Sequence, residues 1–294
     1  MTARILFAAL IASASPLANA AGETPPANPE GPRLGLHLGL EAFSWSEKDP
    51  ESSDDLVDED GPRLTAAATL DNFLKPGEGL VYGLEGRVYA GEVSYDGETQ
   101  STVAANDGVP VNTEVQYAGG LGEARVGYRF RVDWLSYAFD VMAGLGGEYW
   151  SRDIQDTNAV NKNNQQIRVG GIEEEYTVGY AKAGFGVADL SYAEWFGRLE
   201  AGIRYPLEVD ERVDELNADL SPDPGPSLYA TYELSKAVGG DRRVGVTLYY
   251  DSYRLDKSPW VRANGSLVRQ PGSDLVRQPE SDMDVIGLRL GIFL

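Results

Sequence analysis

Histidine is the usual general base near neutral pH, and this chain of 294 residues has one, His37. It has no cysteine, so thiolate metal sites, disulfides and cysteine nucleophiles are excluded. Carboxylates are the abundant reactive groups: 46 Asp and Glu stand against 25 Lys and Arg, a net charge of −21. Two runs concentrate them. Residues 47–60 hold eight acids and one lysine, and residues 207–223 seven acids and one arginine, −13 together. Such oxygen-rich stretches could ligate calcium or magnesium, but neither has the spacing of an EF-hand loop. The plainer reading is a solvated, self-repelling surface that could bridge through divalent cations to an anionic surface or capture a cationic partner. A chain this acidic is a poor partner for nucleic acid, and no motif implies a cofactor.

A second set of charges is spaced differently. Glu85/Arg87, Glu123/Arg125 and Arg198/Glu200 are pairs at i, i+2, which puts both members on one face of a β-strand. Charges held on one face need elements that keep them there, and the sequence supplies these by alternation. The last twelve residues, M-D-V-I-G-L-R-L-G-I-F-L, put Ile286, Leu288, Leu290, Ile292 and Leu294 on one face and Arg289, two glycines and Phe293 on the other. Large aliphatics opposite a polar face suit lipid outside and a polar interior. Mean hydropathy is −0.31, but alternating strands hide a membrane surface from such averages.

The same reading predicts strands at 33–45, 63–73, 80–95, 113–130, 137–150, 175–187, 195–205, 227–235, 243–254 and 283–294. Their connections alternate long and short. In 113–130 the apolar parity differs between Val115–Tyr117 and Ala124–Phe130, which predicts either a bulge at Gly119-Gly120 or a first half standing clear of the membrane. A parity shift is expected between Tyr180 and Ala181. Residues 267–282 carry a tandem duplication, L-V-R-Q-P-G-S-D then L-V-R-Q-P-E-S-D, too short for a repeat fold.

Ahead of the strands, residues 1–20 have one positive charge at Arg4, an apolar run from Ile5 and Ala18-Asn19-Ala20, the pattern of a secretory signal peptide. Without Arg4 the remaining chain has 24 basic and 46 acidic groups, net −22. Residues 21–32 predict a flexible periplasmic lead, and residues 33–294 a single barrel domain.

Through the signal peptide, the alternating strands and the G-L-R-L-G-I-F-L ending, the chain resembles bacterial outer-membrane β-barrel proteins. That resemblance implies an all-β, antiparallel up-and-down transmembrane β-barrel of about ten strands, with periplasmic termini and long extracellular loops. It also implies recognition of the last strand by the barrel-assembly machinery, and contact with outer-membrane lipids and lipopolysaccharide. Ten strands are similar to the omptin proteases, whose activity needs an aspartate and histidine constellation at the outer rim. His37 falls near the opposite end, so no catalytic residue is assigned and no enzymatic activity is expected.

Charges on the lipid face cost roughly 2–4 kcal/mol near the midplane for Arg or Lys, so the charged parity must face inward. The expected lumen network is Glu41, Glu85, Arg87, Glu123, Arg125, Asp140, Glu148, Arg198, Glu200, Arg204 and Arg289, joined by Arg63, Arg129, Lys182, Glu233, Arg243 and Asp251. Nine basic and eight acidic groups favour a salt-bridged, plugged lumen with a structural or surface-interaction role. The alternatives are a small porin-like channel, a lipid-modifying or proteolytic enzyme, and a soluble periplasmic β-protein. Arg289 is expected within reach of His37 or Glu41, with Phe293 in the lumen. Phe73, Trp134 and Trp195 near short turns, and Trp45, Trp150, Tyr205 and Tyr250 near long connections, predict two aromatic girdles.

Overall fold

A computed structural model describes residues 31–48, 55–75, 77–101, 103–132, 134–135, 137–190, 194–239, 242–265 and 275–294. The signal peptide, most of the lead and the first copy of the duplication lie outside these residues. Ten long strands form the molecule: β1 (Arg33–Lys48), β2 (Asp55–Asp71), β3 (Gly79–Glu98), β4 (Pro110–Arg131), β5 (Ala138–Ile154), β6 (Ile172–Ala188), β7 (Trp195–Val213), β8 (Ser227–Gly239), β9 (Arg242–Asp256) and β10 (Glu280–Phe293). Each pairs antiparallel with the next, and β10 pairs with β1 through Gly39↔Arg289 and Leu40↔Leu288. The sheet is thus a closed antiparallel ten-stranded barrel with no free edge, and no helix lies among the described residues.

Closure and alternation sort the side chains. Leu38, Leu64, Leu145, Phe185 and Leu290 point outward and are 64–73% exposed, while Glu41, Arg63, Arg129, Asp140 and Glu200 point inward at 2% or less. An apolar band on a sheet without edges belongs in a bilayer, where only helices and closed barrels satisfy every backbone group. On β10 the band runs from Ile286 to Leu294, and Phe293 turns inward against His37 at 5.2 Å. The end of the barrel with short connections is called the turn end, and the other the loop end.

Four local expectations change. The acidic stretches are largely strand: β1 continues to Lys48, β2 begins at Asp55 and β7 runs to Val213. Alternation persists there because Trp45, Glu47, Val57, Glu59, Val209 and Glu211 pack inside. In β4 the register against β3 and β5 is unbroken through Gly119 and Gly120, so there is no bulge. Val115 and Tyr117 share the inward parity of Glu123, and they lie beyond the apolar band where large side chains fill the interior. Nor does β6 shift parity, since Tyr176, Tyr180 and Lys182 all face inward. The irregularity sits in its partner: Gly179 pairs with Glu208 and Tyr180 with Pro206, which leaves Leu207 as the extra residue of a bulge in β7.

The girdles also change. Trp45 and Trp150 are 1% exposed because their parity is the inward one, and Phe73 is 3% exposed because the connection after β2 turns into the barrel. Trp134 and Tyr205 remain exposed on the outside, and Trp195 and Tyr250 are partly exposed.

Candidate functional site

The turn end is closed by the chain itself. After β2, residues 72–75 fold into the mouth of the barrel, held by Asn72, whose Nδ2 donates to the Leu80 carbonyl at 3.3 Å and whose Oδ1 accepts from the Tyr82 amide at 2.7 Å. Phe73 then lies under the guanidinium of Arg198 at 3.9 Å and near that of Arg125 at 5.1 Å. Gly83 makes this possible, since a Cβ there would stand 2.8 Å from the Phe73 ring. Leu74 packs on Ala188 and Phe196. The Lys75 carbonyl accepts from Arg129 at 2.7 Å, and Arg129 grips Asp140 with two bonds of 2.7 and 2.8 Å.

Above this plug the lumen is spanned by ion pairs. Arg198 reaches Asp140 at 3.5 Å and Glu200 at 2.5 Å. Arg125 contacts Glu200 at 3.3 Å, Glu123 at 3.1 Å and Glu85 at 3.7 Å. Lys182 adds to Glu123 at 2.9 Å, and Arg289 to Glu85 at 2.7 Å. A second group joins Arg87 and Arg204 to Asp251, both at 2.7 Å, with Glu148 taking the hydroxyls of Tyr89 and Tyr253 at 2.7 Å each. In a third, Arg63 bonds Glu41 at 2.8 Å between the rings of Phe43 and Tyr89, and Tyr249 donates to Glu41 at 2.5 Å. Charge-assisted bonds in a water-poor interior are the strong ones. Such pairs satisfy each other rather than leave charge for a permeating solute.

The sequence places all eleven network residues inside, but their partners are mostly distant in the chain. Glu123/Arg125 and Arg198/Glu200 do bond within their pairs, whereas Glu85 and Arg87 go to Arg289 and Asp251 respectively. Arg289 bonds Glu85 instead of His37 or Glu41. Its stem lies over Gly39, where a Cβ would meet the Arg289 Cγ at 2.8 Å. His37 instead approaches Thr69 at 3.4 Å. The lumen is also less uniformly charged than the sequence suggests. Toward the loop end, Phe43, Trp45, Tyr89, Tyr117, Trp150, Tyr176, Tyr180, Tyr249 and Tyr253 form one buried aromatic core with Val115, Val178, Val209 and Met283.

Beyond that core, and outside the apolar band, lies a group the sequence reading missed. Arg152 bonds Glu59 through Nε at 2.9 Å and also through Nη2, while its Nη1 meets Glu174 at 2.6 Å and Glu47 at 3.1 Å. Tyr117 donates to Glu59 at 2.5 Å, and Trp45 Nε1 to Glu47 at 3.0 Å. Burial pushes the carboxyls of Glu59 and Glu174 up, against the pull of Arg152. Glu211 completes the group from β7. Parity could have found most of it, since Glu47 shares a face with Glu41, Glu59 with Arg63, Arg152 with Glu148 and Glu174 with Lys182. Glu211 carried no such signal, because the bulge at Leu207 reverses the parity of β7. Among the described residues no set of three or more carboxylates or histidines is arranged to hold a metal ion.

No protein family and no curated protein matches the sequence. Solved structures do match in fold. The outer-membrane protease OmpT from Escherichia coli superposes with a TM-score of 0.56 at 10% identity, over 92% of this chain and 98% of that one. The translocator domain of the autotransporter NalP from Neisseria meningitidis gives 0.40 at 12% identity, over 90% and 89%. The transport unit of the autotransporter AIDA-I from Escherichia coli gives 0.35 at 11%, over 97% and 96%. At 10% identity the OmpT likeness is one of fold alone, that of a bacterial outer-membrane β-barrel.

Proposed function

We propose that this protein is an integral outer-membrane barrel that is closed to solutes and works as a structural, surface-interacting element, with its loop end outside the cell and its turn end in the periplasm. The observation that carries this reading is the continuous filling of the lumen. The 72–75 plug, the ion-pair layers, the aromatic core and the Arg152 group follow one another from end to end. An open conductance path would need charges facing water, whereas Arg129, Asp140, Glu200 and Glu59 are fully buried. The orientation follows the general pattern of short periplasmic turns and long extracellular loops.

Outside the lumen, the strand extensions carry Asp58, Asp60, Glu92, Asp96, Asp153, Glu173, Glu175 and Asp210 on their outer faces, just beyond the apolar band. Asp58 stands directly opposite Asp96, and Asp153 opposite Glu173. Like charges so placed repel, and divalent cations would relieve them while bridging to anionic lipopolysaccharide. The surface reading rests on that arrangement. Catalysis is not part of the proposal, because the one histidine is packed at the turn end beside Phe293.

Reconstitution into liposomes tests the reading. Membrane integration with solute exclusion equal to that of protein-free liposomes is expected. Rapid swelling in small sugars would favour the porin-like alternative, and recovery of the chain in a detergent-free soluble fraction would remove the membrane assignment.

A further inference from the structure

Most strand extensions at the loop end are acidic, and the β9–β10 connection departs from them. Residues 257–279 hold four bases, Lys257, Arg262, Arg269 and Arg277, against one acid, Asp274, a net charge of +3 in a chain of net −21. The connection also carries the tandem duplication, whose second Leu-Val-Arg is Leu275–Arg277. Val261 pairs with Val276 and Arg262 with Leu275, so the chain folds back here as a short ladder. Opposed residues, and residues two apart along a strand, share a face. Trp260, Arg262, Leu275 and Arg277 therefore stand on one face, and Val261 and Val276 on the other.

That face is exposed and held in place. Trp260 is 58% exposed and Leu275 52%, and Arg262 is exposed as well. The Arg277 guanidinium lies over the Trp260 ring at 4.5 Å, which leaves the other side of the ring to solvent. At the base of the ladder the Ser258 amide donates to the Gln278 carbonyl at 3.0 Å, and the Gln278 amide to Ser258 Oγ at 2.9 Å. Gln278 Nε2 donates in turn to Ser281 Oγ at 3.0 Å. Farther along, the amides of Asn264 and Gly265 donate to the Leu216 carbonyl at 3.1 and 2.8 Å, and Ala263 is buried. An aromatic ring exposed on a fixed frame needs little ordering when a ligand binds.

We propose that Trp260, Arg262 and Arg277 form a binding site for an anionic saccharide, the phosphorylated sugars of outer-leaflet lipopolysaccharide. The proposal rests on the reading that the loop end faces outward, which sets this face beyond the apolar band at the level of those sugars. The open side of the indole presents the negative face of its quadrupole, against which the polarised C–H groups of a sugar ring stack. Arg262 lies two residues along the strand, about 7 Å away, where a phosphate on the stacked sugar or its neighbour meets a guanidinium fork. Arg277, behind the ring, adds a second positive charge. The acidic extensions cannot do the same, because Asp58, Asp96, Asp153 and Glu173 repel an anion unless a divalent cation intervenes. Contact through the β9–β10 connection needs no such cation, and that difference separates the two experimentally.

The test is calorimetric titration of the full chain, embedded in phosphatidylcholine nanodiscs, with the water-soluble phosphorylated oligosaccharide released from lipopolysaccharide by mild acid. The expected result is saturable binding that persists in EDTA and weakens with added salt. Affinity should fall about tenfold in Trp260→Ala and in Arg262→Gln, and about tenfold for the dephosphorylated oligosaccharide. Trp260→Phe keeps a stacking face and should retain most of the binding. No binding by the parent would overturn the proposal, as would unchanged affinity in Trp260→Ala or Arg262→Gln. Binding abolished by EDTA would overturn it in favour of the acidic extensions, and tighter binding of polyglutamate would overturn it in favour of an acidic polypeptide. Entry into the discs, scored first by heat-modifiable migration, tests the membrane reading separately. A chain that stays out overturns that reading and this one, whereas an embedded chain that binds nothing overturns this one alone.

Discussion

Leu290 and Arg289 are neighbours in β10 and opposites in environment, so their exchange tests the inside–outside assignment. Leu290 is 65% exposed, lies at the centre of the Ile286–Leu294 band and pairs with Leu38 and Val246. Arginine at the bilayer midplane of a barrel costs about 2–4 kcal/mol. That is about 30- to 700-fold in the folded population at 1.4 kcal/mol per tenfold. Leu290→Arg should therefore shift the urea midpoint of the heat-modifiable barrel band in lipid vesicles strongly downward. Arg289→Leu acts inside, and leaves Glu85 with Arg125 at 3.7 Å as its remaining close partner. Breaking a buried pair costs about 3–5 kcal/mol, an upper bound here because Arg125 stays. The double replacement Arg289→Leu/Glu85→Leu should recover much of that loss, since no buried charge is then stranded. Wild-type midpoints for Leu290→Arg would refute the lipid-facing assignment, and a double variant as damaged as Arg289→Leu would refute the pairing.

Other perturbations reach the remaining layers. Phe73→Ala should cost about 3–5 kcal/mol as a buried aromatic truncation, read as a lower urea midpoint of the heat-modifiable barrel band, while dye-loaded vesicles stay sealed because the layers above the plug remain filled. Brominated acyl chains should quench fluorescence in a protein that retains only Trp195 but leave one that retains only Trp150 unchanged, because Trp150 is stacked on Tyr176 at 4.8 Å inside the barrel. Arg152→Met strands Glu47, Glu59 and Glu174, and should raise amide exchange in the strand extensions while sparing the amides of Leu36 and Leu288. For pH, the folded values of Glu59 and Glu174 lie above their unfolded ones. The folded state therefore keeps protons that the unfolded chain releases, and stability of the loop end falls as pH rises from the ordinary carboxylate range through the raised values. Protection from exchange at Tyr176 should decline over that window, and a rise would contradict the assignment.

The barrel was legible in the sequence because alternation and connection length are local. Leu34–Leu40 and Ile286–Leu294 announce their faces without knowledge of any partner. Burial of Glu85, Arg125 and Arg289 follows from the same parity, but the Arg289–Glu85 bond does not, because it spans the lumen between β10 and β3. The aromatic core shows the limit of reading aromatics by position along a strand. Trp45 and Trp150 lie near strand ends, as girdle residues do, and only their parity with Glu41 and Glu148 marks them as interior. The 72–75 plug was hidden for another reason: Asn72 bonds back to Leu80 and Tyr82, and turns a short connection into the lumen where the sequence suggests only a turn. The bulge at Leu207 was the hardest feature to foresee, since one extra residue in an acidic stretch reverses the face of everything after it.

Planar-bilayer recording of the purified protein tests the sealed lumen most directly. The filled interior predicts no stable steps in moderate salt under applied voltage, and none in Phe73→Ala either, because the ion pairs, aromatic core and Arg152 group beyond the plug remain in place. Stable, discrete steps from the unmodified protein, altered in size or selectivity by Arg198→Ala or Glu200→Ala, would contradict the account.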